Sequence, residues 1–552
     1  MFALTKKFAR QEIGRIFKTQ ATPRLIAPKV LSSLFIKNLH TSIPLNQLTE
    51  RAMMTSFDQG KECFNKGLYE KAVSEYNTYI SGYYSLGLQN TEKLAEAYER
   101  SGSALYHLKE YSSCLNPLLE ALSIREKYLP DNKTDIMRNV NAISLAYEHL
   151  KDYQNAIKYA RNFLQLALDN LEEKDLAIVN AYSRLGLLSE KAKNYFQSLA
   201  FYTNALQQSI KIFGESHPFL APIYNSIGNT HMKLNDFQSA ADNFTRGLEL
   251  TIHQQGENDI AAASFFNNLS VAYRNMGQLT GSLDYALRGL EIAYYYFGSE
   301  SLAIVPFSNS VAYTYKELRV YEKSLALFIM GLKLQEQYLG KDSSMITSLT
   351  NVGILLVLIG KYEKAIEDFK RALQIHKDLG IKDLNTIPII NYHMSLSYLK
   401  LQKYDEALNC LDVSTQCYLE QNEFENDQLI LNYYRYATIY LEMMNLTQAR
   451  EYVQKGMNIS KEKKKQGDIA DGLELMGEIL YKEGNKNEAI AKLKEAEKLK
   501  VSIYGKNNIK LHDLFEKMEN IYRSENNLKE AESYAKKISK IHSAYNLESL
   551  AL

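Results

Sequence analysis

Asn225, Asn267 and Asn309 stand 42 residues apart, and Asn141 and Ser183 continue the same spacing upstream. A primary amide both donates and accepts hydrogen bonds. A column of amides could therefore pair with the N–H and C=O groups of an extended chain without demanding any particular side chain. The same amides could instead pack between neighbouring structural units and satisfy buried backbone groups. Asn229 lies one helical turn beyond Asn225, and Lys191, Lys233, Arg274 and Lys316 recur close by at intervals of 42, 41 and 42. Such cations would favour an acidic ligand. All of this is recognition chemistry, and the parts for catalysis are missing. There is no phosphate-binding Gly-rich loop, no HExxH and no GxSxG. His107 and His149 are themselves 42 apart, which makes them repeat positions rather than a metal pair. Cys63, Cys114, Cys410 and Cys417 have no CxxC spacing and read as free thiols. The expectation is a protein that is not an enzyme and that uses no cofactor and no metal.

The period that spaces these residues runs through most of the chain. Tyr69, Tyr111, Tyr153, Tyr195, Phe237, Leu279 and Tyr321 are 42 apart, and Tyr362, Tyr404, Leu446, Lys486 and Leu528 follow at intervals of 41, 42, 42, 40 and 42. A small residue comes three positions after each marker, from Ala72 and Cys114 to Ala489 and Ala531. Another comes nine positions before, from Gly60 and Gly102 to Gly353 and Gly477, with Glu519 the exception. Each period reads as two helices. Ala365, Ile366, Phe369, Ala372 and Leu373 give the i, i+1, i+4, i+7, i+8 stripe of a one-sided helix. Gly67, Asn235, Gly277, Gly360, Gly484 and Asn526, two before the marker, suit the left-handed residue that ends a helix. A second glycine column, Gly214, Gly256, Gly298 and Gly340, with Gly380 and Gly505 later, marks the other turn. The small columns predict close helix crossings, with the marker aromatic filling the corner beside each crossing.

Small–x8–aromatic–x2–small, followed by an aromatic or leucine and then Ala-Leu or Gly-Leu, resembles the tetratricopeptide repeat (TPR). The 42-residue period is similar to the TPRs of the kinesin light chain family. So are the loop Ile212-Phe213-Gly214-Glu215-Ser216-His217-Pro218 and the stretches Arg371-Ala372-Leu373-Gln374-Ile375 and Phe266-Asn267-Asn268-Leu269. The resemblance covers roughly residues 50–545. It implies an all-α, right-handed superhelical TPR solenoid of about twelve helix-turn-helix repeats, each touching only its neighbours, with the polar last unit as a cap. It also implies a concave groove lined by first helices. Asn141, Asn225, Asn229, Asn267, Asn309, Lys191, Lys233, Arg274 and Lys316 would bind a protein partner there, as an extended peptide or a subunit surface. No sustained heptad run is present, so motor binding is not expected.

Net charge is +1 but unevenly placed. Residues 1–47 carry eight Lys and Arg against Glu12 alone, leaving 57 basic and 63 acidic residues in the remainder. A basic, acid-poor segment with Phe2, Phe8, Ile13, Ile16 and Phe17 among the charges reads as a mitochondrial transit peptide. The expected organisation is a presequence over 1–47, a solenoid over 48–545 and a tail over 546–552. No stretch reaches the ~18–20 apolar residues of a membrane helix, so any membrane association would be peripheral, through a complex. The mildly acidic remainder argues against nucleic acid. These readings favour a non-catalytic scaffold, an accessory subunit or assembly factor of a respiratory or ribosomal complex in the matrix or at the inner membrane. The competing readings are a cytosolic kinesin light chain-like adaptor for acidic peptides and a mitochondrial RNA-processing or translation factor.

Overall fold

The computed structural model describes residues 50–86, 91–381, 385–420 and 427–545. The basic segment 1–47 and the tail 546–552 lie outside them, and so do the expected presequence and its boundary. Every regular element among the described residues is helical, and none of these helices is long and apolar enough to cross a membrane. The chain divides into two compact units, one ending at Glu215 and the other beginning at Ser216.

Unit 1 holds four hairpins: α1 (Glu50–Asn65) with α2 (Tyr69–Leu86), α3 (Thr91–His107) with α4 (Tyr111–Tyr128), α5 (Lys133–His149) with α6 (Tyr153–Asn170), and α7 (Leu176–Lys191) with α8 (Tyr195–Phe213). Unit 2 continues with α9 (Ala221–Lys233) and α10 (Phe237–Gln255), α11 (Ile260–Asn275) and α12 (Leu279–Phe297), α13 (Val305–Glu317) and α14 (Tyr321–Leu339), α15 (Ser344–Leu358) and α16 (Tyr362–Asp378). It ends with α17 (Thr386–Lys400) and α18 (Tyr404–Glu420), α19 (Gln428–Glu442) and α20 (Leu446–Glu462), α21 (Gln466–Lys482) and α22 (Lys486–Tyr504), α23 (His512–Ser524) and α24 (Leu528–Ala544). The marker residue is the first residue of every second helix.

The turn inside each hairpin is stricter than its sequence. The residue two before the marker has positive φ in all twelve hairpins. Gly67, Asn235, Gly277, Gly360, Gly484 and Asn526 meet this demand as anticipated, and Lys109, Lys151, Lys193, Arg319, Gln402 and Met444 meet it without being residue types that favour it. Backbone bonds such as Asp152 N–H to Tyr147 O (3.0 Å) and Lys151 N–H to Glu148 O (2.9 Å) close the turn around that residue. Position in the period therefore overrides residue preference. The cost is small for an unbranched chain at φ near 60°.

The small columns are the helix crossing. Residues three after the marker are 0–2 % exposed, from Ala72 to Ala531. Where that residue is serine, its hydroxyl donates to the carbonyl of the small residue twelve positions earlier: Ser198 to Gly186 (2.8 Å), Ser282 to Ser270 (2.8 Å) and Ser324 to Ala312 (2.7 Å). The corner is filled differently from the expectation. The side chain lying over the earlier small residue is the one seven after the marker, not the marker itself. A Cβ added at Gly353 would meet the Phe369 ring at 2.6 Å, at Gly228 the Phe244 ring at 2.5 Å, and at Gly186 the Tyr202 ring at 2.7 Å. Sizes compensate across this contact: Ser144 and Ser270 face the alanine positions 160 and 286, whereas glycines face Tyr76, Tyr202, Phe244 and Phe369. The marker aromatics sit partly exposed at the hairpin turn. Tyr69 stacks on His107 of the next hairpin (4.7 Å between centroids, 12°) and Tyr111 on His149 (4.2 Å, 6°), which gives both histidines a packing role.

Gly353→Leu is expected to destabilise unit 2 by about 1–3 kcal/mol, because Phe369 is fully buried and has no room to yield. The check is a lowered urea midpoint together with faster hydrogen exchange in α15 and α16. Unchanged exchange there would place the crossing elsewhere.

Unit 2 departs from nearest-neighbour stacking. The start of the last hairpin, reached through a short 3-10 turn at Ile509–Leu511, packs against the hairpin turns of α11–α12 and α13–α14. Leu279, Leu318 and Val320 share one buried cluster with Ile509, Leu511 and Leu514. Arg319, the left-handed turn residue, reaches Asp513 at 2.6 Å. The expectation that each repeat touches only its neighbours therefore fails here. The coil of unit 2 closes on itself, because small rotations between successive hairpins add up until the last one returns to the turns of earlier ones.

Candidate functional site

The first helix of each hairpin carries two polar columns, twelve and eleven residues before the marker. The structure joins them across successive hairpins. Asn268 donates its amide to Asn225 Oδ1 at 2.8 Å, and the Ser310 hydroxyl donates to Asn267 Oδ1 at 2.5 Å. Further along, the Arg435 guanidinium donates to the Tyr392 hydroxyl at 3.1 Å in the same register. The asparagine carbonyls thus do serve inter-repeat packing. Their bonds also fix each amide plane, and both residues keep partial solvent exposure. Asn229 and Asn309 are likewise half-buried on first helices.

The predicted residues are spread over both units. Asn141 lies in unit 1, where with Phe163, Ala177, Asn180 and Arg184 it lines a pocket of about 350 Å³. Asn225 lines another of about 300 Å³ in unit 2, beside Pro218, Gln254 and Phe265. Lys191 is tied to Glu148 at 2.7 Å, and Arg184 reaches the same carboxylate at 2.9 Å. Burial raises the Glu148 carboxyl, but hydrogen bonding and charge from Lys191 and Arg184 outweigh it and hold the pKa below the ordinary value. Lys233 is exposed.

Arg274 and Lys316 differ from these. They flank one ring, Tyr313, at 5.2 and 5.4 Å from its centroid. Burial pushes both pKa values down, and the nearest carboxylate to Lys316 is that of its exposed neighbour Glu317, at 4.0 Å.

Sequence reasoning missed the column one residue further on, eleven before the marker. It holds Asn268, Ser310, Asn351, His393 and Arg435, a polar run that alignment to the period alone could have shown. It also missed that the column twelve before the marker holds two buried glutamates, Glu99 and Glu474. Glu99 pairs with Arg125, and Glu474 accepts from Lys500 at 2.6 Å, both across the inter-helix core and at the same relative position.

Among the described residues, one trio of metal-ligand types comes together, His512, Asp513 and Glu516. A cation is already there: the Arg319 guanidinium binds Asp513 and approaches His512 Nδ1 at 3.5 Å. Hydrogen bonding from His512 and Arg319 holds the Asp513 carboxyl well below the usual carboxylate range. His512 also stacks on His542, with their Nε2 atoms 3.2 Å apart. The trio serves the closure of unit 2.

Family models described as tetratricopeptide repeat match residues 138–170, 177–253, 263–293 and 302–378. These segments match tetratricopeptide repeats. The matched segments run through α5–α8, α9–α12 and α13–α16, in both units and in register with the small columns. No curated protein matches the chain. Solved structures similar to it include a Rap protein complexed with competence and sporulation factor, at 16 % identity over 67 % of this chain and 98 % of that one, TM-score 0.44. Aspartyl phosphate phosphatase F from Bacillus subtilis is similar at 20 % identity over 66 % and 93 %, TM-score 0.44. The TPR-like repeats of a putative kinesin light chain from Podosopora anserina are similar at 13 % identity over 38 % and 99 %, TM-score 0.34.

Proposed function

We propose that this chain is a non-catalytic protein–protein interaction scaffold that holds a partner segment against its first helices, as an accessory subunit or assembly factor of a large mitochondrial complex. One observation carries the reading. Asn225 and Asn267 of unit 2 are held by their Oδ1 atoms, through Asn268 and Ser310, which leaves their amide N–H groups as donors offered in a fixed direction. Donors at a constant repeat spacing suit the carbonyls of an extended chain. The mitochondrial part of the proposal rests on the basic, acid-poor composition of residues 1–47.

Replacing Asn225, Asn267 and Asn309 together with aspartate keeps an acceptor for Asn268 and Ser310 and removes the donors. The expected result is loss of partner co-purification from mitochondrial extracts, with stability lowered by no more than about 1 kcal/mol per site. Capture unchanged by the triple substitution would remove the groove reading. A fusion of residues 1–50 to a reporter tests location separately, and a cytosolic fusion would overturn the mitochondrial assignment.

A further inference from the structure

Unit 2 gathers positive charge that nothing in the fold neutralises. Arg274 is on α11, Lys316 on α13, His393 on α17 and Arg435 on α19, all of them first helices of their hairpins. Among the described residues, no carboxylate forms an ion pair with Arg274 or Arg435, and Lys316 has only Glu317 at 4.0 Å. Arg435 lies over Tyr392 at 4.8 Å, and its buried Nε has no hydrogen-bond partner. His393 packs edge-on to Tyr392 and flat against Phe369. Burial, then Arg435, then Lys316 push its imidazole down to about 3, so both cations stand close to the ring.

Ion pairs elsewhere in this unit show how the fold treats charge it keeps for stability. Glu474, buried in the core, is matched by Lys500 and Lys517, both at 2.6 Å. Unmatched, desolvated cations raise the energy of the empty site and make it selective for anions. The amide column also changes character here. Asn225, Asn267 and Asn309 give way to Thr350, Tyr392 and Tyr434 at the equivalent positions, so the amide donors end before α17 and α19, which carry His393 and Arg435. The closure of the coil by Arg319 and Asp513 spans this same stretch.

We propose that the first-helix face formed by Arg274, Lys316, His393 and Arg435 binds a compact ligand bearing two or more oxyanions, of the polyphosphate class. Arg435 and Lys316 supply the charge, the Tyr313 and Tyr392 rings hold the cations in place, and His393 becomes a further donor when the anion arrives.

The test uses the full chain at low salt with tripolyphosphate as probe, followed by calorimetry and by NMR titration of the His393 ring. Binding is expected, with the His393 pKa rising by about one unit or more as the anion offsets its two cationic neighbours. Arg435→Gln and Lys316→Gln should each weaken binding roughly ten-fold or more. Lys364→Gln, an exposed lysine on α16, should leave it unchanged. Equal binding by wild type and both cluster variants, or an unmoved His393 titration, overturns the site. An Asp/Glu octapeptide that binds and shifts His393 where tripolyphosphate does not would overturn the ligand class and assign the cations to an acidic partner segment. Partner capture by the Arg435→Gln chain is read in parallel, so failure of this site and failure of the scaffold reading give different results.

Discussion

Glu99→Leu is expected to destabilise unit 1 by about 3–5 kcal/mol. Glu99 is 5 % exposed, and its partner Arg125 is 2 % exposed. Arg125 also donates to Asn139 Oδ1 at 3.2 Å, and Asn139, itself fully buried, donates to Leu118 O at 3.0 Å. Removing the carboxylate leaves a buried guanidinium with neutral acceptors and the more distant Asp135 carboxylate at 3.9 Å. Arg138, which reaches Glu99 from a more exposed position at 3.3 Å, can turn to solvent and loses little. The double variant Glu99→Leu/Arg125→Met should recover most of the loss, since a matched apolar pair avoids both desolvation costs. Urea unfolding of the single and double variants, with hydrogen exchange over α3–α5 to locate the change, is the measurement. A single variant within about 1 kcal/mol of wild type would mean that Asn139 and the Asp135 carbonyl suffice to hold the charge.

The second large effect is a pH dependence of unit 2. His393 has its imidazole pushed from 6.5 down to about 3. The folded state therefore holds fewer protons than the unfolded chain between these values. The neutral ring's contribution to stability is fully present above pH 6.5 and is lost as pH falls towards 3. The slope in that window approaches about 1.4 kcal/mol per pH unit for one proton. Lowered carboxylates such as Asp513 and Glu474 act in the same direction but nearer their own, lower range. The difference between wild type and His393→Gln over pH 4.5–6.5 isolates the histidine. The wild-type denaturation midpoint should fall relative to that of His393→Gln as pH drops through this window. Parallel curves would show that the ring titrates normally in the folded chain.

Much of the fold was legible in the sequence because its determinants recur at one spacing. The turn glycines and asparagines, the two small columns and the one-sided stripes all repeat, and each has a local steric cause. The corner contact was misassigned because the marker aromatics and the residues seven further on, such as Tyr362 and Phe369, are both large and in phase. Spacing alone does not say which of two such columns points inward. The first-helix site was half legible. The asparagines stood out as identical residues in register, whereas Asn268, Ser310, Asn351, His393 and Arg435 share polarity and position but not identity. The closure of unit 2 was not legible at all. It depends on the summed rotation of successive hairpins, to which every packing contact contributes a little and no single residue decides.

That closure has a consequence for how the array can change. A stack joined only neighbour to neighbour accepts an extra hairpin anywhere, since each interface is indifferent to how many others follow. In unit 2, Arg319 meets Asp513 only because a set number of hairpins separates them. Inserting or deleting one between residues 321 and 508 would rotate Asp513 past its partner and strand Ile509, Leu511 and Leu514 away from Leu318 and Val320. The copy number of this stretch is thus fixed by geometry, as the tooth count of a gear is fixed by its circumference.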